Sequence, residues 1–159
     1  MNQTQASRRA LLKGAGAAGT LTVALAAGLL KPGAVFAAGW NKALFETKDL
    51  ANVLQSSGST GAAESSQIVV KAPDIAENGA VVPVEIISSI PGTERIIILA
   101  EKNGFPLVAD FGLSNGAIGY VSTRIKMGAT SNVRAIVTAH GKTHTAAKEV
   151  KVTIGGCGG

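Results

Sequence analysis

The chain has 159 residues, 46% of them apolar, which suits one folded domain with a core plus a removable leader. Its formal net charge is +5, from 15 Lys and Arg against 10 Asp and Glu, and such a balance raises nucleic acid as a partner. Four of the basic residues, Arg8, Arg9, Lys13 and Lys31, lie in residues 1–37, where there is no acid; the rest of the chain has 11 basic against 10 acidic residues and no electrostatic ground for binding nucleic acid.

The first element in chain order is that leader. Ser7-Arg8-Arg9-Ala10-Leu11-Leu12-Lys13 precedes a Gly- and Ala-rich apolar run from Gly14 to Leu30, followed by Lys31-Pro32 and Val35-Phe36-Ala37. The pattern predicts a twin-arginine signal peptide over 1–37, cleaved after Ala37, with the periplasm as destination and no membrane attachment after cleavage. The competing reading is a membrane anchor. The run falls short of the ~20 residues that a span needs and is diluted by Gly14, Gly16, Gly19 and Gly28.

Residues 38–66 are expected to form an N-terminal helix and a linker. From Trp40 to Gln55 the apolar residues Trp40, Ala43, Leu44, Leu50, Ala51, Val53 and Leu54 recur at helical spacing, with Lys42, Glu46, Lys48 and Asp49 opposite them. One amphipathic helix ending near Gly58 follows from this. Ser56 to Ser66 is Ser- and Gly-rich with almost nothing apolar to place in a core, and so is expected to be a linker.

From Gln67 the period changes to that of strands, and residues 67–154 are expected to be all-β. Turn signals stand at Asn78-Gly79, Pro91-Gly92, Asn103-Gly104, Asn115-Gly116 and Gly141-Lys142. About seven strands at this spacing imply an immunoglobulin-like antiparallel β-sandwich. Val121, Thr123, Ile125 and Met127 alternate with Tyr120, Ser122, Arg124 and Lys126, and Val150, Val152 and Ile154 are expected to point inward from the last strand. Pro83 predicts an edge or a bulge, because proline cannot donate to a ladder. Ile96, Ile97, Ile98 and Leu99 are apolar on both faces. A two-layer sandwich covers one face only, so Ile97 and Leu99 are expected to lie beneath either the N-terminal helix or a partner subunit.

The chain ends in Gly155-Gly156-Cys157-Gly158-Gly159, and Cys157 is its only cysteine. An exported thiol without a partner in its own chain is either incidental or functional. Four glycines around it give the slimmest backbone a chain can have, suited to threading a narrow channel. Extended, Gly155 to Cys157 reach about 10 Å. The arm holds no cation that would stabilise a thiolate, and the terminal carboxylate opposes one, so activation is expected to come from an enzyme that engulfs the arm.

These features resemble the SoxY family, the carrier subunits of periplasmic thiosulfate oxidation. The resemblance rests on the terminal Gly-Gly-Cys-Gly-Gly, the twin-arginine leader, the helix running through Leu44-Phe45-Glu46 to Val53-Leu54, and the segment Ala72-Pro73-Asp74-Ile75-Ala76-Glu77-Asn78-Gly79-Ala80-Val81-Val82-Pro83-Val84. It implies a covalent carrier and not an enzyme, with no cofactor of its own, in which Cys157 is the attachment site and Gly155, Gly156, Gly158 and Gly159 form the arm. It further implies a heterodimer with a SoxZ-like subunit, loading of thiosulfate by the haem c protein SoxAX, release of sulfate by SoxB, and oxidation of the remaining sulfur by SoxCD where that enzyme is present.

Other constellations are weak. His140 and His144 flank a turn, without a third ligand beside them, and fit a polar turn better than a metal site. Two rival classes remain open: a ubiquitin-like carrier bearing sulfur as a thiocarboxylate on Gly159, against which export argues, and a structural β-sandwich with an incidental tail. Adduct mass on Cys157 or Gly159 separates the first, and deletion of residues 155–159 the second.

Overall fold

The structure, a computed structural model, describes residues 41–114 and 116–154; the leader and the terminal arm lie outside the described residues. Two helices, α1 (Lys42–Phe45) and α2 (Leu50–Ser56), precede nine strands: β1 (Ala63–Glu64), β2 (Ile68–Lys71), β3 (Ile75–Ala76), β4 (Val82–Ser88), β5 (Thr93–Ala100), β6 (Leu107–Gly112), β7 (Tyr120–Ile125), β8 (Ser131–Ala139) and β9 (Lys142–Val152). They form two sheets. The larger runs β1-β9-β8-β5-β6, with β3 also pairing to β9, and the smaller runs β2-β4-β7. The fold is an all-β sandwich, as the period-2 patterning implied, with β1 and β3 as short parallel additions to β9.

Alternation along β5 sorts its residues into two cores. Ile96, Ile98 and Ala100 pack between the sheets with Val84, Ile86 and Val133. Ile97 and Leu99 face the other way, into a second cluster with Leu44, Val53, Leu107 and Ile136. Both are buried, at 1% and 0% exposure. Of the two covers expected for this face, the structure provides the helices, and a partner interface through Ile97 and Leu99 is thereby corrected: neither has surface left to offer.

The single helix expected from Trp40 to Gln55 is two. Asn41 Oδ1 accepts from Leu44 N at 3.2 Å and Asp49 Oδ1 from Ala51 N at 2.9 Å, so the run contains two N-caps. Between them the Thr47 hydroxyl donates to Ala43 O at 2.8 Å, a local bond that competes with continued helix. The apolar spacing still works, because Leu44 and Val53 both reach the sheet. Helix α2 ends in a Schellman motif, with Gly58 at φ 69°, Gly58 N bonded to Gln55 O and Ser59 N to Leu54 O.

The expected linker over 56–66 is ordered structure. Ser57 and Ser59 are buried and their hydroxyls bond each other at 2.9 Å, and β1 pairs with β9 through Ala63↔His144 and Glu64↔Thr145. Short polar side chains that satisfy one another can enter an interior without any apolar signal. Pro83 lies in β4, the central strand of the smaller sheet, not in an edge strand. Pairing with β2 runs only from Glu85 to Ser88, so at Pro83 the strand has β7 alone as neighbour and is locally an edge. Along β7 and the two residues after it the expected faces hold, with Val121, Ile125 and Met127 buried, Thr123 half-buried, and Tyr120, Ser122, Arg124 and Lys126 exposed.

The helical cover generates a test on the isolated chain. Leu99→Ala should destabilise it by about 2–5 kcal/mol in urea unfolding, as for a buried leucine whose site cannot collapse. A chain whose stability alone is unaffected would mean that Leu99 is covered by something other than its own helices.

Candidate functional site

Cys157 and the four glycines around it lie outside the described residues, so the describable part of the site is the point from which they depart. That root is pinned on two sides. Strand β3 lies parallel to the end of β9 in the register Ile75↔Lys151 and Ala76↔Val152. Lys151 N donates to Asp74 O at 3.0 Å, Thr153 N to Ala76 O at 3.1 Å, and Gly79 N to Ile154 O at 2.8 Å. Thr153 Oγ1 donates to Glu77 O at 3.1 Å. On the opposite side Val152 N donates to Thr130 Oγ1 at 2.9 Å. Segment 74–79 therefore holds the backbone as far as Ile154, the last described residue.

Three exposed apolar side chains surround this root, Ile75 at 57%, Val81 at 56% and Ile154 at 68%. Ile154 was expected to point inward by the alternation of the last strand. Strand β9 ends at Val152, and Thr153 and Ile154 beyond it are exposed. From Ile154 the sulfur of Cys157 is three residues away, about 10 Å of extended backbone.

The strap is closed by an ion pair. Lys148 Nζ lies 2.9 Å from Asp74 Oδ1 and also donates to Ala72 O at 2.6 Å. The hydrogen bond from Lys148 and then its charge hold the Asp74 carboxyl below the usual carboxylate range, with a smaller contribution from Lys151.

The two histidines are at the other end. His140 and Gly141 form the two-residue turn between β8 and β9, both with positive φ, at 49° and 69°. The His140 ring packs on Gly92, where a Cβ would come within 2.4 Å of it. His144 sits within β9 opposite Val137. The eleven residues of β9 put this turn roughly 30 Å from the arm root. Among the described residues no group of three or more His, Cys, Asp or Glu is placed to hold a metal.

The family model described as "Sulfur oxidation protein SoxY" matches residues 53–157, a span that begins in α2 and ends on the arm cysteine. The chain belongs to the SoxY family. A solved SoxY, titled as the sulfur carrier protein from Chlorobium limicola f thiosulfatophilum, is 41% identical, with a TM-score of 0.57, covering 65% of this chain and 99% of that one. A superoxide reductase (neelaredoxin) from Ignicoccus hospitalis is 17% identical with a TM-score of 0.46, covering 54% of this chain and 80% of that one, and carries no functional weight. No curated protein matches the chain. Membership of the SoxY family agrees with a role in sulfur oxidation as a carrier.

What the sequence missed is the strap. Within residues 72–84 the sequence offered a turn at Asn78-Gly79, an edge or bulge at Pro83 and the family resemblance, but nothing in their periodicity says that they bind the end of β9. Because the folded pKa of Asp74 is depressed, its contribution to stability is present above the unfolded value and is lost as pH falls through the folded one. Asp74→Asn should therefore lower the Tm at neutral pH, and the gap should close as pH drops below the carboxylate range. A gap independent of pH in thermal unfolding would assign the loss to something other than the ion pair.

Proposed function

We propose that this SoxY-family chain is an exported covalent carrier of thiosulfate oxidation, holding its substrate on Cys157 while separate enzymes act on it. The observation that carries the reading is the juxtaposition of a pinned strand end with a five-residue arm whose only side chain is a thiol. A root fixed to within a few ångströms and a glycine backbone beyond it suit delivery of a sulfur atom into a narrow cleft. The twin-arginine leader supports the periplasm as the place where this happens.

Loading joins the thiol to thiosulfate. Cys157-SH and S2O3²⁻ give Cys157-S-S-SO3⁻, one proton and two electrons, the electrons passing to a haem c protein of the SoxAX kind. Hydrolysis by a SoxB-type enzyme then adds water, breaks the bond to the sulfonate, and leaves Cys157-S-S⁻, sulfate and two protons. The remaining sulfane sulfur goes to a SoxCD-type enzyme or to another acceptor. A SoxZ-like subunit, where held, docks on a surface other than the buried residues Ile97 and Leu99.

Intact-mass analysis of the chain from cells grown on thiosulfate should show a thiosulfonate or persulfide adduct that maps to Cys157 and is absent from Cys157→Ser. An adduct on Gly159 instead, or none under loading conditions, would overturn the reading. Replacing both Gly155 and Gly156 with Val should leave the Tm within error, because these residues lie beyond the pinned root, and should slow enzymatic loading on the order of tenfold or more. Unchanged loading would remove glycine's role in access.

A further inference from the structure

Strands β6 and β7 are end strands, β6 of the larger sheet and β7 of the smaller, and among the described residues no backbone hydrogen bond joins them. Each therefore leaves one side of its backbone without a strand partner. Between them lies a groove of about 590 Å³, lined by Leu107 and Val108 of β6, Arg124 and Ile125 of β7, and Phe105 and Lys126 beside them. The seam exposes the margin of the core: Val108 packs on the inter-sheet cluster and is only half-buried.

The groove is cationic. Its lining contains Arg124 and Lys126 and no carboxylate, and both are exposed without an ion pair to any described residue. Arg95 and Arg134, by contrast, are paired with Asp110 and Glu101 at 2.6 Å. Lys48 adds a third cation at the rim, its Nζ 5.8 Å from the centre of the Phe105 ring, which is itself 48% exposed. Acids close by in sequence are already engaged: Asp49 caps α2 through Ala51 N, and Glu101 holds Arg134 and Asn132. The wall is held in place, since Asn103 Nδ2 donates to Lys126 O at 2.7 Å and Asn103 Oδ1 accepts from Gly128 N at 2.9 Å.

Cations on an open strand edge repel a basic strand and disfavour an apolar one, which is how edges are commonly kept from pairing, but they favour an acidic one. We propose that the groove docks an extended acidic segment on the rim of the enzymes that act on the carried sulfur. Its carboxylates lie at Arg124, Lys126 and Lys48, an apolar side chain rests on Phe105, and its backbone runs along the free edge of β7. The proposal rests on the carrier reading, which supplies those enzymes. Position supports it. Gly79 N donates to Ile154 O at 2.8 Å and Gly79 O accepts from Met127 N at 2.7 Å, so Lys126 and the end of β9 lie at one end of the sandwich. A lipid surface is the less suitable occupant, because the cations line a concavity, which takes a protruding chain and not a flat bilayer.

The test is association, measured on the chain without cargo, its thiol reduced, and purified with any partner it holds. At low salt, about 20 mM, the hydrolase and the haem c protein of the proposed cycle should each associate roughly three- to tenfold more slowly with the double variant Arg124→Gln/Lys126→Gln than with the unaltered chain, and salt of about 0.5 M should close the gap. Phe105→Ser should speed dissociation roughly severalfold and leave association nearly unchanged. Lys142→Gln, at the opposite end of β9, should change neither rate. Melting curves check that every variant keeps the fold. Equal association of either enzyme with the unaltered chain and the folded double variant would overturn the dock, as would an equal effect of Lys142→Gln, which would indicate net charge alone. Co-sedimentation of the unaltered chain with phosphatidylglycerol vesicles, lost in the double variant, would overturn it in favour of a membrane. Adduct mapping on Cys157 decides the carrier reading separately, since these rates are read on a chain that carries nothing.

Discussion

From Ile96 to Ala100 strand β5 has no solvent face, and the arrangement of the rest follows from covering both of its sides. Ile96, Ile98 and Ala100 require an opposing sheet, which β2, β4 and β7 supply. Ile97 and Leu99 require a second layer, and among the described residues Leu44 of α1 and Val53 of α2 supply it. On that outer face the strip is closed at each end by charge: Arg95 makes two hydrogen bonds to Asp110, at 2.8 and 2.6 Å, and Glu101 binds Arg134 and Asn132. The Asp110 hydrogen bond holds the Arg95 guanidinium above even its ordinary pKa. These pairs are partly exposed, so their value lies in fixing where the apolar strip stops more than in stability. The sheet built on β5 is in turn the platform from which β9 emerges, paired to β8 on one side and to β1 and β3 on the other.

Period and turn chemistry carried most of this in the sequence. The two faces of β5 could be assigned residue by residue, since Ile96 and Ile98 had to oppose Ile97 and Leu99, and the alternation of Val121, Ile125 and Met127 survives along β7 and just beyond it. The choice between helix and partner over Ile97 could not be made, because apolar pattern says that a face is covered and not by what. The break in the helix was legible in principle: Asp49, two residues after Thr47, is a good N-cap, but the apolar spacing on either side of it happens to stay in phase. The burial of Ser57 and Ser59 was not legible, since it depends on a hydroxyl pair that has no periodic signature. The same holds for the strap. Its bonds to β9 are mostly backbone to backbone, and any sequence with the right turn at Asn78 and Gly79 could make them. The family was the most legible part, because the terminal Gly-Gly-Cys-Gly-Gly and the segment from Ala72 to Val84 carry the resemblance to SoxY that the family model bears out.

A short arm on a fixed root imposes a limit that a long tether does not. On the carrier reading proposed above, with about 10 Å of reach beyond Ile154, Cys157 would enter a partner's cleft only if the rim of that cleft came up against the exposed Ile75, Val81 and Ile154 themselves. Apolar side chains there are compatible with repeated, brief contacts, since each visit must end, and three of them bury too little area for a lasting complex.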